Sequence, residues 1–250
     1  MVNIKYYFSS TVIFIITIIS WEIAAKIVDK AFILPSPSAV IVRLWELKFT
    51  LFLVHLPKTL LIILVGLSIS IVFGIVVGIC MSLNKSVERA LYPILIASQT
   101  IPIIALAPIF VLWFGYSIWS KVVVTVLITF FPITVSVFDG LKASSKEFEE
   151  LFLTMGATKQ EIFLKLNIPN ALPYFFSGLK VAVTLSVIGA AIGEWLGAQA
   201  GLGYFSRRMM TQFDGPAVFA PILLLSAVGI LLFLLVTWIE KYMVKWRKER

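Results

Sequence analysis

The chain has 250 residues, of which 60% are hydrophobic and only 14% charged, with a mean hydropathy of +1.01. A soluble domain carries about 25% charged residues to keep its surface wetted, so this composition excludes a water-soluble globule; 14 glycines and one cysteine exclude collagen-like and disulfide-stapled classes. The formal net charge of +8 fits an all-α polytopic membrane protein whose cations meet anionic lipid, and no basic face with interleaved aromatics points to nucleic acid.

A helix needs about 20 apolar residues to cross a hydrocarbon core about 30 Å thick. Runs free of charge, or in the fifth case interrupted only by Lys180, therefore place six spans, near residues 7–25, 59–83, 91–114, 120–138, 175–195 and 217–240. No alternating pattern of the kind a membrane barrel needs is present. The first run follows Lys5 but lacks a small-residue cleavage site, so it reads as a retained anchor rather than a signal peptide. Leu34-Pro35-Ser36-Pro37 and a short amphipathic stretch around Trp45 come next, read as a surface helix on the membrane.

Orientation follows from the cations. With the N-terminus inside, the cytoplasmic segments hold Lys5, Lys85, Arg89, Lys142, Lys146, Lys159, Lys165, Lys241, Lys245, Arg247, Lys248 and Arg250. The outer segments hold Lys26, Lys30, Arg43, Lys48, Lys58, Lys121, Arg207 and Arg208. Twelve against eight has the positive-inside sign. Both termini and residues 139–174 are expected in the cytoplasm.

The third span contains Pro102 and Pro108, each of which removes a backbone donor and is expected to kink the helix. Gly66, Gly74 and Gly78 in the second span read as close-packing positions. Lys180 and Glu194 are 14 residues apart, about 21 Å along a helix. They are expected to mark the inner and outer ends of the fifth span, with Glu194 facing water, another subunit or a pathway.

Residues 144–173 are too patterned for a linker. Ser144 with Glu147 and Thr158 with Glu161 have capping-box spacing. Phe148, Leu151, Phe152 and Met155 form one apolar stripe, and Gly156 stands where a helix end favours positive φ. Ile162, Phe163 and Leu166 line the next face, and Pro169 and Pro173 are expected to end that second helix. Two such short helices are unstable alone in water; they fold back on the membrane domain or dock into a partner.

The same segment carries a family resemblance. Glu150-Leu151-Phe152, three residues, Gly156, nine residues and Leu166-Asn167-Ile168-Pro169 resemble the E-A-A-x3-G-x9-I-x-L-P signature of permease subunits in bacterial ATP-binding-cassette importers, with both alanines replaced and the distal Ile and Leu exchanged. Leu34-Pro35-Ser36-Pro37-Ser38, Ile101-Pro102-Ile103-Ile104-Ala105-Leu106-Ala107-Pro108, Trp113-Phe114-Gly115, Phe131-Pro132-Ile133 with Gly140, and Gly201-Leu202-Gly203-Tyr204 are similar to the subgroup for aliphatic sulfonates, taurine, nitrate and thiamine-type pyrimidine precursors.

The resemblance implies a type I importer permease fold in a bacterial inner membrane, filling residues 1–250 as one transmembrane domain. It implies a second permease subunit, expected to be an identical copy, two cytoplasmic ATPases and an extracytoplasmic solute-binding protein. Glu149, Glu150, Leu151, Phe152, Gly156, Ala157, Leu166, Ile168 and Pro169 are then the ATPase-coupling residues. Pro102, Pro108, Trp113, Glu194, Trp195 and Gln199 are the candidate pathway residues. No cofactor is implied, and with no G-x-x-x-x-G-K-[ST] loop the ATPase must be a separate chain.

Gly193-Glu194-Trp195 looks most like the pyrimidine-precursor branch. A carboxylate beside an indole suits a flat, amino-bearing ring. An enzyme is a poor alternative: His55 is the only histidine and Cys80 the only cysteine, so neither a catalytic triad nor a metal cluster can be assembled. An ion-coupled secondary carrier usually shows internal repeats and embedded ionisable residues, which this chain does not clearly show.

Overall fold

A computed structural model describes residues 4–246, with side chains from Thr11 onward. Arg247, Lys248 and Arg250 of the orientation count lie outside the described residues, and Lys5 lies outside the described side chains. The described residues form helices joined by short turns, without strands: α1 (Ile4–Val28), α2 (Pro37–Glu46), α3 (Leu56–Leu83), α4 (Lys85–Thr100), α5 (Ile103–Phe114), α6 (Ile118–Lys142), α7 (Lys146–Thr154), α8 (Lys159–Ile162), α9 (Ile168–Gly197), α10 (Leu202–Thr211) and α11 (Gly215–Met243). They group into two compact units, one of residues 1–58 with 200–225 and one of 59–199 with 226–250.

Within the first unit, Ser36 caps α2 by accepting from the Ala39 N–H, and Pro37 occupies a first-turn position where a missing N–H costs nothing. Glu22 of α1 accepts from both the backbone N–H and the hydroxyl of Ser38, at 3.1 and 2.8 Å. Arg43 of α2 donates to Asp214 Oδ2 from Nε at 3.1 Å and from a terminal nitrogen at 2.6 Å. Asp214 Oδ1 in turn accepts from the Ala217 N–H at the start of α11. His55 is buried, and its Nδ1 accepts from the Gly201 N–H at 3.0 Å.

The second unit is built on α6 and α9, which run antiparallel with their backbones close together. A Cβ on Gly193 would lie 2.9 Å from Lys121 Cα, and one on Gly189 would lie 2.9 Å from Thr125 Cα. At the opposite end Gly140 of α6 meets Ala171 and Tyr174 of α9. Gly66, Gly74 and Gly78 of α3 face Thr125, Ile133 and Val137 of α6, so α3 lies parallel to α6 and its glycines serve close packing, as expected. Lys142 of α6 pairs with Glu88 of α4, placing the end of α6 beside the start of α4.

Five helical runs are long and apolar enough to cross a membrane, and α4 with α5 makes a sixth only as a bent pair. That pair corrects the expected third span. It is not one helix kinked at Pro102 and Pro108: α4 stops at Thr100, Ile101 and Pro102 are extended, and α5 leaves at 98°. Pro108 is inside α5, whereas Pro102 only precedes it.

Two further corrections share one cause. Pro169 and Pro173 do not end the second helix of the loop; α8 continues through a π-helical stretch, Phe163–Asn167, into α9. The second span likewise begins upstream of residue 59, through a π-helical stretch Thr50–His55. In each case the residue before a proline makes an i→i+5 bond, Leu56 to Leu51 and Ile168 to Phe163. The wider π turn relieves the clash that Pro57 or Pro169 would make with the carbonyl four residues back.

Candidate functional site

Both ends of the second unit carry candidate residues. At the end where α6 stops, α7 and α8 make the expected helix–turn–helix. Its turn is a Schellman motif: the Ala157 N–H donates to Phe152 O and the Gly156 N–H to Leu153 O, each at 3.0 Å. Gly156 has φ +81°, and a Cβ added to it would meet nothing within 4 Å, so backbone conformation alone demands glycine there. The Thr158–Glu161 capping box is formed.

The first cap differs from expectation. Ser145, not Ser144, caps α7 by accepting from the Phe148 N–H. Ser144 Oγ is engaged elsewhere, accepting from Asn170 Nδ2 at 3.2 Å and tying the start of α7 to α9.

The apolar stripe of α7 is open. Phe148, Leu151 and Met155 are 57%, 50% and 76% exposed, so this stripe of α7 does not fold back on the chain's own membrane domain, whereas Ile162 of α8 is buried against the chain. Glu150 is exposed beside them, while Glu149, Phe152 and Ala157 are half-buried. Leu166, Ile168 and Pro169 are half-buried where the π turn enters α9. Glu161 accepts from the Thr158 N–H, Lys165 Nζ and the Thr158 hydroxyl, which together hold its carboxyl down to about 2.

At the other end the structure overturns the solvated reading of Glu194. Its side chain is fully buried, and Thr59 Oγ1 of α3 donates to its Oε1 at 2.7 Å. Lys121 of α6 is buried within electrostatic range of it and donates from Nζ to the carbonyls of Tyr116 and Ser117, at 2.8 and 2.7 Å. Glu194 thus ties helix ends together and does not meet solvent. Lys180 does not simply mark an inner helix end either; it forms an ion pair with Glu240 of α11.

The remaining pathway candidates are accessible but dispersed. Pro102 and Pro108 are exposed at the break and inside α5, and Trp113 is exposed against the edge of Phe110. Trp195 and Gln199 are exposed at the end of α9. Ala107 and Phe110 of α5 pack on Val124 of α6, with Ile192 and Leu196 of α9 around them, so α5 bridges the two central helices. Sequence reasoning missed Thr59, Asn170 and Glu240, whose partners lie 135, 26 and 60 residues away in the chain. No local spacing signals such pairs.

Long apolar helices, a capped and exposed helix–turn–helix at one end, and a charge-tied opposite end are the architecture of a polytopic helical membrane protein. The profile of binding-protein-dependent transport system inner membrane components matches residues 70–245. The chain is 58% identical over 240 residues to the formylaminopyrimidine transport permease protein ThiX of Halalkalibacterium halodurans, covering 96% of each chain. It is 28% identical to the putative aliphatic sulfonates transport permease protein SsuC of Bacillus subtilis, covering 92% of this chain and 84% of that one. The fold is similar to that of the MetNI methionine ABC transporter in inward-facing conformations, with a TM-score of 0.62 at 22% identity, over 77% of this chain and 94% of that one. The chain belongs to the binding-protein-dependent transport system inner membrane components: it is a multi-pass permease subunit of an ABC importer.

Proposed function

We propose that this permease imports a pyrimidine precursor of the formylaminopyrimidine type across a bacterial inner membrane. It works as a pair of identical subunits with two separate cytoplasmic ATPases and an extracytoplasmic binding protein. The 58% identity to a formylaminopyrimidine permease, against 28% to a sulfonate permease, carries the substrate reading.

The coupling reading rests on the exposed stripe of α7. Phe148, Leu151 and Met155 leave an apolar face that needs a groove, and the Schellman turn and capping box fix its angle to α8. An ATPase cleft is the groove, with Glu150 at its rim. Nucleotide-driven closure of the ATPases moves α7 and α8 and, through the π turn, α9. The cation bias supports a cytoplasmic position for this loop and both termini.

Uptake into proteoliposomes holding the full complex tests the substrate. Formylaminopyrimidine is accumulated, and taurine, alkanesulfonates and nitrate do not compete; the reverse pattern rejects the assignment. For orientation, Lys159→Cys in a Cys80→Ser background is labelled by an impermeant reagent only from the cytoplasmic side. Labelling from outside in intact cells rejects that topology.

A further inference from the structure

The break between α4 and α5 places polar side chains where hydrocarbon cannot accept them. Leu95, six residues before Ile101, packs with Met81 of α3 and Phe138 of α6, near the cytoplasm-facing end of α6. Ala107, six residues after, packs on Val124 of α6, near the other end. The break therefore sits opposite the middle of α6. Ser98, Gln99, Thr100, Ile101 and Pro102 are all exposed there.

A helix that ends at mid-depth leaves its last carbonyls without helical donors. Thr100 Oγ1 turns back onto one of them, Ala97 O, at 2.8 Å, while Ser98 Oγ donates to Leu95 O, further inside the helix, at 2.7 Å. Gln99 Nε2 donates to Ser98 Oγ at 3.3 Å, and its amide oxygen takes no hydrogen bond from the described residues. Irregular backbone and open polar groups persist at membrane depth only where they line water or protein. Secondary transporters build their solute sites at discontinuous helices of this kind, and the same physics applies to a broken span here.

We propose that Ser98, Gln99 and Thr100 at this break form the hydrogen-bonding station for solute in the translocation pathway, and that the station takes an uncharged, flat solute bearing an amine or amide; the solute class rests on the pyrimidine reading above. Gln99 offers an acceptor to an exocyclic amine and, by releasing Ser98, a donor to a ring nitrogen or formyl oxygen. No charged residue occurs between Arg89 and Lys121. A sulfonate or nitrate arriving there would lose hydration with no cation on this segment to replace it. An amide-bearing ring exchanges hydrogen bonds one for one.

Two measurements decide it, both on the complete complex in lipid. In a Cys80→Ser background, Gln99→Cys reacts with a charged, water-soluble methanethiosulfonate at least about tenfold faster than Phe73→Cys, an exposed apolar position of α3, because only thiols in water ionise readily. Equal, slow rates place residue 99 against lipid or a second copy of the chain and overturn the station. In uptake assays Gln99→Leu raises KM for formylaminopyrimidine about three- to tenfold, the weight of one hydrogen bond, and Gln99→Asn returns part of the loss. Unchanged KM in Gln99→Leu also overturns it. If the wild type does not take up formylaminopyrimidine, the substrate reading fails separately, and the thiol rates then decide the station by themselves.

Discussion

Thr59 Oγ1 and Glu194 Oε1 lie 2.7 Å apart, joining the start of α3 to the end of α9 across 135 residues of sequence. A buried carboxylate that loses a donor keeps its desolvation cost, so Thr59→Val destabilises the protein by about 1–3 kcal/mol. Thermal unfolding of the purified complex measures this. Because Glu194 is buried, Glu194→Gln lowers stability and uptake of all solutes alike. A changed preference between formylaminopyrimidine and taurine would instead put the carboxylate in the pathway.

Gly156 at φ +81° has open space around it, so a substitution there is strained by backbone conformation alone. Gly156→Val costs about 1–2 kcal/mol in the turn and swings α7 out of line with α8. Substrate-stimulated ATP hydrolysis falls while membrane insertion is retained. Glu150→Lys, which reverses the charge beside the exposed stripe, acts in the same direction. Full stimulation in both variants would remove the loop from the coupling path.

Lys180 and Glu240 form an ion pair between α9 and α11 that is largely shielded, with 23% and 17% of the side chains exposed. Removing one partner strands the other, so Lys180→Met lowers stability by about 1–3 kcal/mol. The exchange Lys180→Glu with Glu240→Lys recovers most of the loss. A double variant no better than the single one would show that packing, not charge pairing, sets the cost.

The Glu161 carboxyl is held down to about 2 by the Thr158 N–H, Lys165 and the Thr158 hydroxyl. Its support for the α8 cap is therefore fully present above the ordinary glutamate value of about 4.3 and is lost as pH falls from there towards 2. Amide-exchange protection at Glu161 and Ile162, corrected for intrinsic rates, stays flat from pH 8 to about 5. Thr158→Ala lowers that protection across the whole range, by about 1 kcal/mol. A loss of protection between pH 7 and 6 in the wild type would contradict the capping geometry.

Five of the apolar runs were legible in sequence, though not all of their ends, because hydrocarbon excludes charge and runs poor in charge are visible without a structure. The Gly156 turn and the Thr158 cap were legible because their chemistry is local. The α4–α5 break was not, since two prolines six residues apart also describe a kinked helix; what decides is that Ile101 as well as Pro102 turns extended. Pro169 misled for the opposite reason, because the preceding π turn absorbs its ring. Glu194 was misread because burial depends on Thr59 and Lys121, which no spacing rule connects to it.

The helix that leaves the Thr158 cap runs without a break from Lys159 to Gly197, 39 residues, or about 58 Å. One end is solvent-facing loop; the other holds Glu194. Such a rod needs no chain of side-chain rearrangements to carry a signal. A tilt of about 5° about its midpoint shifts each end by about 2.5 Å, in opposite directions. That is close to the length of the hydrogen bond from Thr59. A small stroke at the loop end is thus enough, by leverage alone, to make or part a contact at the opposite end of the helix.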